Sequence, residues 1–501
     1  MTAVGTGGAE TNHLTVPERR EDTSFPWRWL MLLTAIAAVL RTIGIDSGLW
    51  YDEILTLLWS VRSPFSEIVT RFPDNSQHTL FSLLAHVSIG IFGEHAWSLR
   101  LPAVLFGIAT VPMLFMFARQ LATSTEALLA SLLITINYQH VWFSQNARGY
   151  SAAAFLTLVS SWLLLRGLRR RRTGDFVWYG VAAALGVYAH LTLLFLVVSH
   201  AALSVLALGW PGIDPATRSR WRLPALGFAL AGLFSFLLYA PLLVGMRRFF
   251  VEEEDPVGRA TSAWAVMEMV RGLHLDWVTW IGVPVGLVLV FRGVRSYWKQ
   301  SPFVLGLLLL PGAMTVAVTM GLQRPVRPRL LFFVVGLAIL IVVRGALDVA
   351  RWLQGNRAAH ATATPAAGIA LVGLLSLVSA ATLVPGYQYP KQDFDGAMRF
   401  VESHAAEGES IVTVGPAAFI YREYYHRPWE DITSVDHLQR VLGRGRRVWA
   451  LYTLENTFSV ELQQVIEVLR PRCDAVAVFR GTLGDGDVTV CATPPAVAPI
   501  P

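Results

Sequence analysis

Residues 46–60 read DSGLWYDEILTLLWS. Two adjacent carboxylates, Asp52 and Glu53, stand among Leu49, Trp50, Tyr51, Ile54, Leu55, Leu57, Leu58 and Trp59. The flanks pull the segment toward low dielectric. There, neighbouring carboxylates repel, and at least one needs a partner cation or a perturbed pKa. The plainer alternative is a pair of solvated interfacial carboxylates at the start of a helix through ILTLLWS. The surroundings decide between them.

Those surroundings are membranous. Of the 501 residues, 54% are hydrophobic and 15% charged, with mean hydropathy +0.48. A soluble domain is about 25% charged. Many uncharged stretches reach the roughly 20 residues needed to cross a bilayer. Eleven spans are expected, at 27–45, 97–118, 124–143, 149–166, 174–189, 191–210, 223–245, 277–292, 302–321, 329–346 and 366–385. Residues 1–26 are polar and read as a disordered cytoplasmic tail rather than a cleaved signal. The net charge is +6, and the lysines are only Lys299 and Lys391, so arginine carries the basicity. The arginines fall at helix ends rather than in one soluble patch, which argues against nucleic acid.

Positive loops stay cytoplasmic. RGLRRRR at 166–172, RSRWR at 218–222, FRGVRSYWK at 291–299 and RGALDVARWLQGNR at 344–357 are such loops. Residues 144–150, 188–192, 246–276, 322–328 and everything after 385 are then external. The apolar stretch 79–93 must begin and end on one side, because 15 helical residues cover only about 22 Å. Residues 46–96 thus form one long external loop with amphipathic pieces, and Asp52 and Glu53 lie at the outer surface. The protein is expected in the inner (plasma) membrane, N-terminus cytoplasmic.

From 386 the composition becomes polar and mixed. Short β-like runs SIVTV (410–414), RVWALYT (447–453), AVAVF (475–479) and VTVCA (488–492) alternate with helical patterns at 394–405 and 460–470. This predicts a small extracytoplasmic α/β domain at 386–501. Cys473 and Cys491 flank two of the runs. A hairpin disulfide and two free buried thiols are both open.

Several cations gather on the predicted outer face: Arg41, Arg148, Arg324, Arg327 and Arg329. External arginines run against the usual charge bias. Each could snorkel or bind a headgroup. As a set facing an acidic pair, their forks suit phosphate oxygens, such as those of a lipid-linked phosphate. His78 and His190 share that face. His274 lies with EEED (252–255) in the 246–276 loop, but no spacing is diagnostic of a metal, so a divalent ion stays open. No phosphate-cradling glycine loop or nucleophile elbow occurs, which excludes direct use of ATP or a dinucleotide.

Five elements then form a resemblance: LR…SGLWYDE (40–53), QHTLFSLLAHVSIGIFGEHAWSLRLPAVLFG (77–107), SQNARGY (144–150), YAHLT (188–192) and RPRLLFF (327–333). In this order they resemble the GT-C superfamily of membrane glycosyltransferases, in the branch of protein O-mannosyltransferases and the lipid A aminoarabinose transferase. The resemblance covers about 38–345. It implies a GT-C fold of about eleven transmembrane helices and inverting transfer from a polyprenyl-phosphate sugar to a protein, lipid or envelope glycan. It makes Asp52 the general base, with Glu53 its catalytic neighbour. Arg148 and Arg329, with Arg41 and Arg327, would bind donor phosphate. Tyr51, His78, Tyr150 and His190 would contact substrate or acceptor. The sequence departs from the family at Thr79, Asn146 and Leu330, where Pro, Glu and an aromatic are common. A transporter or flippase of a lipid-linked sugar is the rival reading, although its key charges would sit nearer the bilayer midplane and its halves would repeat.

Overall fold

The computed structural model describes residues 25–73, 77–209, 221–252, 276–324, 326–354 and 366–494. The expected tail, save residues 25 and 26, lies outside these, as do His274 and residues 253–255.

The membrane body is a helix bundle. Among the described residues six helices are long and apolar enough to cross a membrane: Ala96–Ala118, Tyr150–Arg170, Arg222–Phe249, Pro302–Gly321, Pro328–Leu353 and Ala366–Gln388. The other expected spans appear as Trp27–Thr42, Ser124–Thr135, Thr173–Ala189, Leu193–Gly209 and Asp276–Gln300. The expected span 124–143 is not one helix. Asn137 accepts a bond from the His140 backbone N–H at 2.9 Å and caps a new helix, Tyr138–Ser144. An Asn side chain that satisfies an orphan N–H starts helices rather than continuing them.

Without water between them, membrane helices gain most from close packing, and small residues allow it. A Cβ added at Gly345 would lie 1.9 Å from Leu289 O, and one at Gly293 would lie 2.0 Å from Ile341 O. The backbones of Asp276–Gln300 and Val335–Leu353 therefore pack directly against each other. Glu126, Arg344, Tyr297 and Gln300 tie the same region together, with Arg344 Nε donating to Glu126 Oε1 at 2.6 Å and Nη1 to Gln300 Oε1 at 2.6 Å.

The first long loop is helical in pieces: Tyr51–Thr56, a π-helical turn Leu57–Val61, Phe65–Ile68 and Thr79–Phe92. The last section holds a five-stranded sheet, with β1 Ser410–Val414, β2 Glu430–Ile432, β3 Val448–Tyr452, β4 Ala475–Phe479 and β5 Val488–Ala492. Its order is β2-β1-β3-β5-β4. The first three strands run parallel and β5 pairs antiparallel with β3 and β4. Cys473 and Cys491 form a disulfide. One side of the sheet packs on helices through Val412, Leu438, Val465 and Leu469. On the other side, Trp449, Leu451, Val490, Phe394 and Tyr421 share a core with Ile54, Leu57, Phe81 and Leu99. The sheet section and the first loop thus complete each other's burial.

Candidate active site

Trp50 is extended and Tyr51–Thr56 turns helical immediately after it. Successive helical residues point about 100° apart, so the two carboxylates meet different surroundings. Glu53 points inward and is fully buried. Its oxygens accept from Arg100 Nε at 2.8 Å and Arg100 Nη2 at 2.6 Å, from the Ala147 N–H at 2.7 Å and from the Trp50 N–H at 3.4 Å. Lys391 Nζ lies 3.9 Å away. Burial alone would raise the Glu53 pKa, but Arg100 and Lys391 outweigh it and hold the carboxyl below its usual range. Arg100 also donates to the carbonyls of Ile45, Ser47 and Gly48 at 2.7, 2.8 and 3.0 Å. The Arg100–Glu53 pair therefore fixes the path of the loop.

Asp52 faces a cleft. Arg329 Nη1 is 3.3 Å and Arg148 Nη2 3.8 Å from its Oδ2. Among the described residues no hydrogen bond reaches Oδ1. Arg148 is held from behind, with Nη1 donating to Thr56 Oγ1 at 3.1 Å and to the Asp52 carbonyl at 3.4 Å. Gly149 follows it because a Cβ there would meet Ala189 O at 2.4 Å. Arg329 stands on the 3-10 turn Pro328–Val334 and is about a third exposed, at 31%.

The cleft has a volume of about 570 Å³. Trp50, Tyr51, Asp52, Asn146 and Tyr150 line one part, Arg327 and Arg329 another, and Leu454, Asn456, Thr457 and Thr482–Gly484 of the sheet section a third. Trp50 Nε1 donates to Asn146 Oδ1 at 3.1 Å, so the departure at Asn146 supports a wall residue. Lys391 and Gln392 anchor the sheet section beside the cleft. The Tyr51 N–H donates to Gln392 Oε1 at 2.9 Å, and Lys391 lies over the Trp142 ring at 5.5 Å.

The structure thus brings Asp52, Arg329, Arg327, Tyr51 and Tyr150 to the cleft wall. Arg148 reaches Asp52 from behind, about 2% exposed and not itself on that wall. Four other expected residues, Arg41, Glu53, His78 and His190, also stand off the wall. Arg41 is fully buried and is absent from the cleft wall. Its donors go to the carbonyls of Ala37, Ile134 and Thr135, to Ser144 and to His140 Nδ1 at 2.7 Å. Helix-end carbonyls have taken the place expected for a phosphate. Glu53, expected as a catalytic neighbour, is likewise enclosed. His78 and His190 form a second layer, with His78 5.0 Å and His190 5.3 Å from the Tyr150 ring. Burial and the nearby Arg148 push both histidines down, His190 to about 3. Among the described residues no three His, Cys, Asp or Glu side chains form a metal cluster.

Arg100 and Lys391 escaped the sequence reading. For Arg100 the available signal is a charge near the start of an apolar helix, a position that demands a partner. Lys391 stood out as a rare lysine.

Residues 77–244 match the family model described as dolichyl-phosphate-mannose-protein mannosyltransferase. YkcB of Bacillus subtilis is 27% identical over 92 residues, which is 18% of this chain and 12% of YkcB. The structure is similar to ArnT from Cupriavidus metallidurans in the apo state, with TM-score 0.51 and 14% identity over 94% of this chain and 98% of that one. The undecaprenyl phosphate-bound form gives TM-score 0.51 and 13% identity over 95% and 99%. The resemblance read from the sequence is borne out at the level of fold: the chain has the architecture of the ArnT structures over nearly its whole length, and residues 77–244 carry the mannosyltransferase signature. With six described helices long and apolar enough to cross a bilayer, it is a multi-pass membrane protein.

Proposed function

We propose that the protein transfers a sugar, with inversion, from a polyprenyl-phosphate donor to a hydroxyl of an extracytoplasmic protein, lipid or envelope glycan. The observation that carries this reading is Asp52 at the cleft wall, with guanidinium nitrogens of Arg329 and Arg148 at 3.3 and 3.8 Å from its Oδ2. Asp52 takes the proton of the acceptor hydroxyl as that oxygen bonds to the anomeric carbon. The bond from that carbon to the phosphate oxygen breaks, and the polyprenyl phosphate leaves with the electron pair. Arg329 holds the phosphate as its charge grows, Arg148 adds its charge to the phosphate from behind Asp52, and Arg327 supplies further positive field. Glu53 and Arg41 act as scaffold. Tyr51 and Tyr150 contact sugar or acceptor, and His78 and His190 back Tyr150.

In this reading the membrane body crosses the inner membrane, with the pair Ser124–Thr135 and Tyr138–Ser144 making together the crossing expected at 124–143, 166–172 faces the cytoplasm, and the sheet section is extracytoplasmic. The undecaprenyl phosphate bound by ArnT supports the donor class. The test is transfer of radiolabel from a panel of polyprenyl-phosphate sugars to crude envelope acceptors in nanodiscs, with and without a chelator. Wild type should transfer label, while Asp52→Asn, equally folded, should lose about 10²–10⁴-fold. An Asp52→Asn variant as active as wild type would sink the mechanism. Lipid movement across vesicles without transfer would favour the transporter.

A further inference from the structure

Behind Asp52 lies a second, much smaller chamber. Its volume is about 10 Å³, and its walls include Thr56, Gln77, His78, Ser82 and Arg148. Five buried polar atoms around it have no hydrogen-bond partner among the described residues: Gln77 Oε1, His78 Nε2, Ser82 Oγ, and Arg148 Nε and Nη2. Buried groups of this kind are rarely left unpaired, because each one costs stability. Five around one void point to a ligand.

The chemistry of the five identifies it. His78 Nδ1 lies 3.0 Å from the Ala189 carbonyl, which can only accept. Nδ1 therefore carries the proton, and Nε2 presents a lone pair. The Gln77 amide donates through Nε2 to the Ile68 carbonyl at 3.3 Å, which leaves its Oε1 as the unpaired end of a residue on the chamber wall. The chamber therefore offers two acceptors from Gln77 and His78, donors from Arg148, and a hydroxyl from Ser82 that can serve as either. A cation would meet the Arg148 charge. An anion would meet the lone pairs of His78 and Gln77. A neutral oxygen with two hydrogens satisfies both sets, and a void of about 10 Å³ is the threshold size for a single water.

We propose that one water is bound here, donating to His78 Nε2 and Gln77 Oε1 and accepting from Arg148 and Ser82. It links the histidine layer to Arg148 and sets the angle at which that guanidinium faces Asp52. His78, Gln77 and Ser82 are then positioning residues acting through Arg148. The effect on the donor rests on the reading of Arg148 as a phosphate arginine. The water site itself does not.

The test has two arms. The first is a map of the full-length protein in nanodiscs that resolves ordered water. Density within hydrogen-bond distance of His78 Nε2, Ser82 Oγ and Arg148 is expected. A chamber without density, where equally buried waters elsewhere are clear, overturns the proposal. The second arm measures binding of undecaprenyl phosphate to wild type, Ser82→Ala and Ser82→Val. Ser82→Ala keeps room for the water and removes one of its four bonds, whereas Ser82→Val fills the space. Val should weaken binding about tenfold and Ala by clearly less. Equal losses, or a larger loss for Ala, overturn the proposal. A wild type that binds no undecaprenyl phosphate defeats the donor reading alone. Density then decides the water, as it does if either variant fails to fold.

Discussion

Replacing Glu53 by Gln keeps the side chain's size and removes its charge. Glu53 is fully enclosed and Arg100 is about 1% exposed, so the change leaves a guanidinium buried without a counter-ion. The contacts at 2.6 and 2.8 Å weaken together, and the 2.7 Å bond from the Ala147 N–H loses its ionic partner. Removing one partner of a buried pair costs about 3–5 kcal/mol. That is a factor of roughly 10²–10⁴ in the ratio of folded to unfolded protein, a large share of the usual margin. The carbonyls of Ile45, Ser47 and Gly48 still receive Arg100 and keep the loss at the lower end of this range. The assay is the fraction of monodisperse protein remaining in detergent after a series of heat steps, with Asp52→Asn as comparator. Asp52 is partly exposed and its ion contacts are longer, at 3.3 and 3.8 Å, so its variant should melt close to wild type. Glu53→Gln should melt well below both, and adding Arg100→Met should recover part of the loss. A Glu53→Gln protein melting within about 2 °C of wild type, yet devoid of transfer, would show that Glu53 takes part in chemistry and refute its assignment to the scaffold.

Lys391 gives a pH signature. Burial pushes it down from 10.5 to about 7, against the pull of Glu53. The folded protein then binds fewer protons at this residue than the unfolded chain between pH 7 and 10.5, so its contribution to stability rises with pH across that window and is flat, at its least favourable, below it. The melting temperature of wild type minus that of Lys391→Met should climb from pH 7 to 10, and a flat difference would contradict the assignment. Arg329→Lys keeps the charge and loses the fork. It should raise the KM for donor more than Arg327→Lys does, which steady-state kinetics can check. The Cys473–Cys491 disulfide closes a sequence separation of 18 residues. Replacing both cysteines by Ser should cost about 3 kcal/mol, read as faster limited proteolysis of residues 386–494. Equal proteolysis rates would mean that the shared core alone holds that section.

The membrane body was legible because apolar length is a property of sequence. Its interruption at Asn137 was hidden, since a capping side chain looks like one more small polar residue inside an apolar run. The strands at 410–414, 448–452, 475–479 and 488–492 were visible from their β-branched and apolar runs. Glu430–Ile432 was not, because three residues carry no period. The pairing of Asp52 with Arg148 and Arg329 could be read because arginines on the face expected to be external stand out against the charge bias. Arg41 met the same criterion and was drawn instead to helix-end carbonyls, a competition that only the fold reveals. The division of labour between Asp52 and Glu53 was out of reach for the same reason. It depends on Arg100, 47 residues away, and on a lysine beyond the last helix of the body.

The anchor between Tyr51 and Gln392 joins residues 341 positions apart. Ribosomes add about 5–20 residues per second, so roughly 20–70 seconds separate the synthesis of its two halves. During that interval the loop bearing Asp52 has no sheet section to complete its core and no far wall for its cleft. A nascent chain can insert its first helices long before it can grip a substrate. On the proposed function, a chain stalled before Gln392 would occupy the membrane without being able to consume donor.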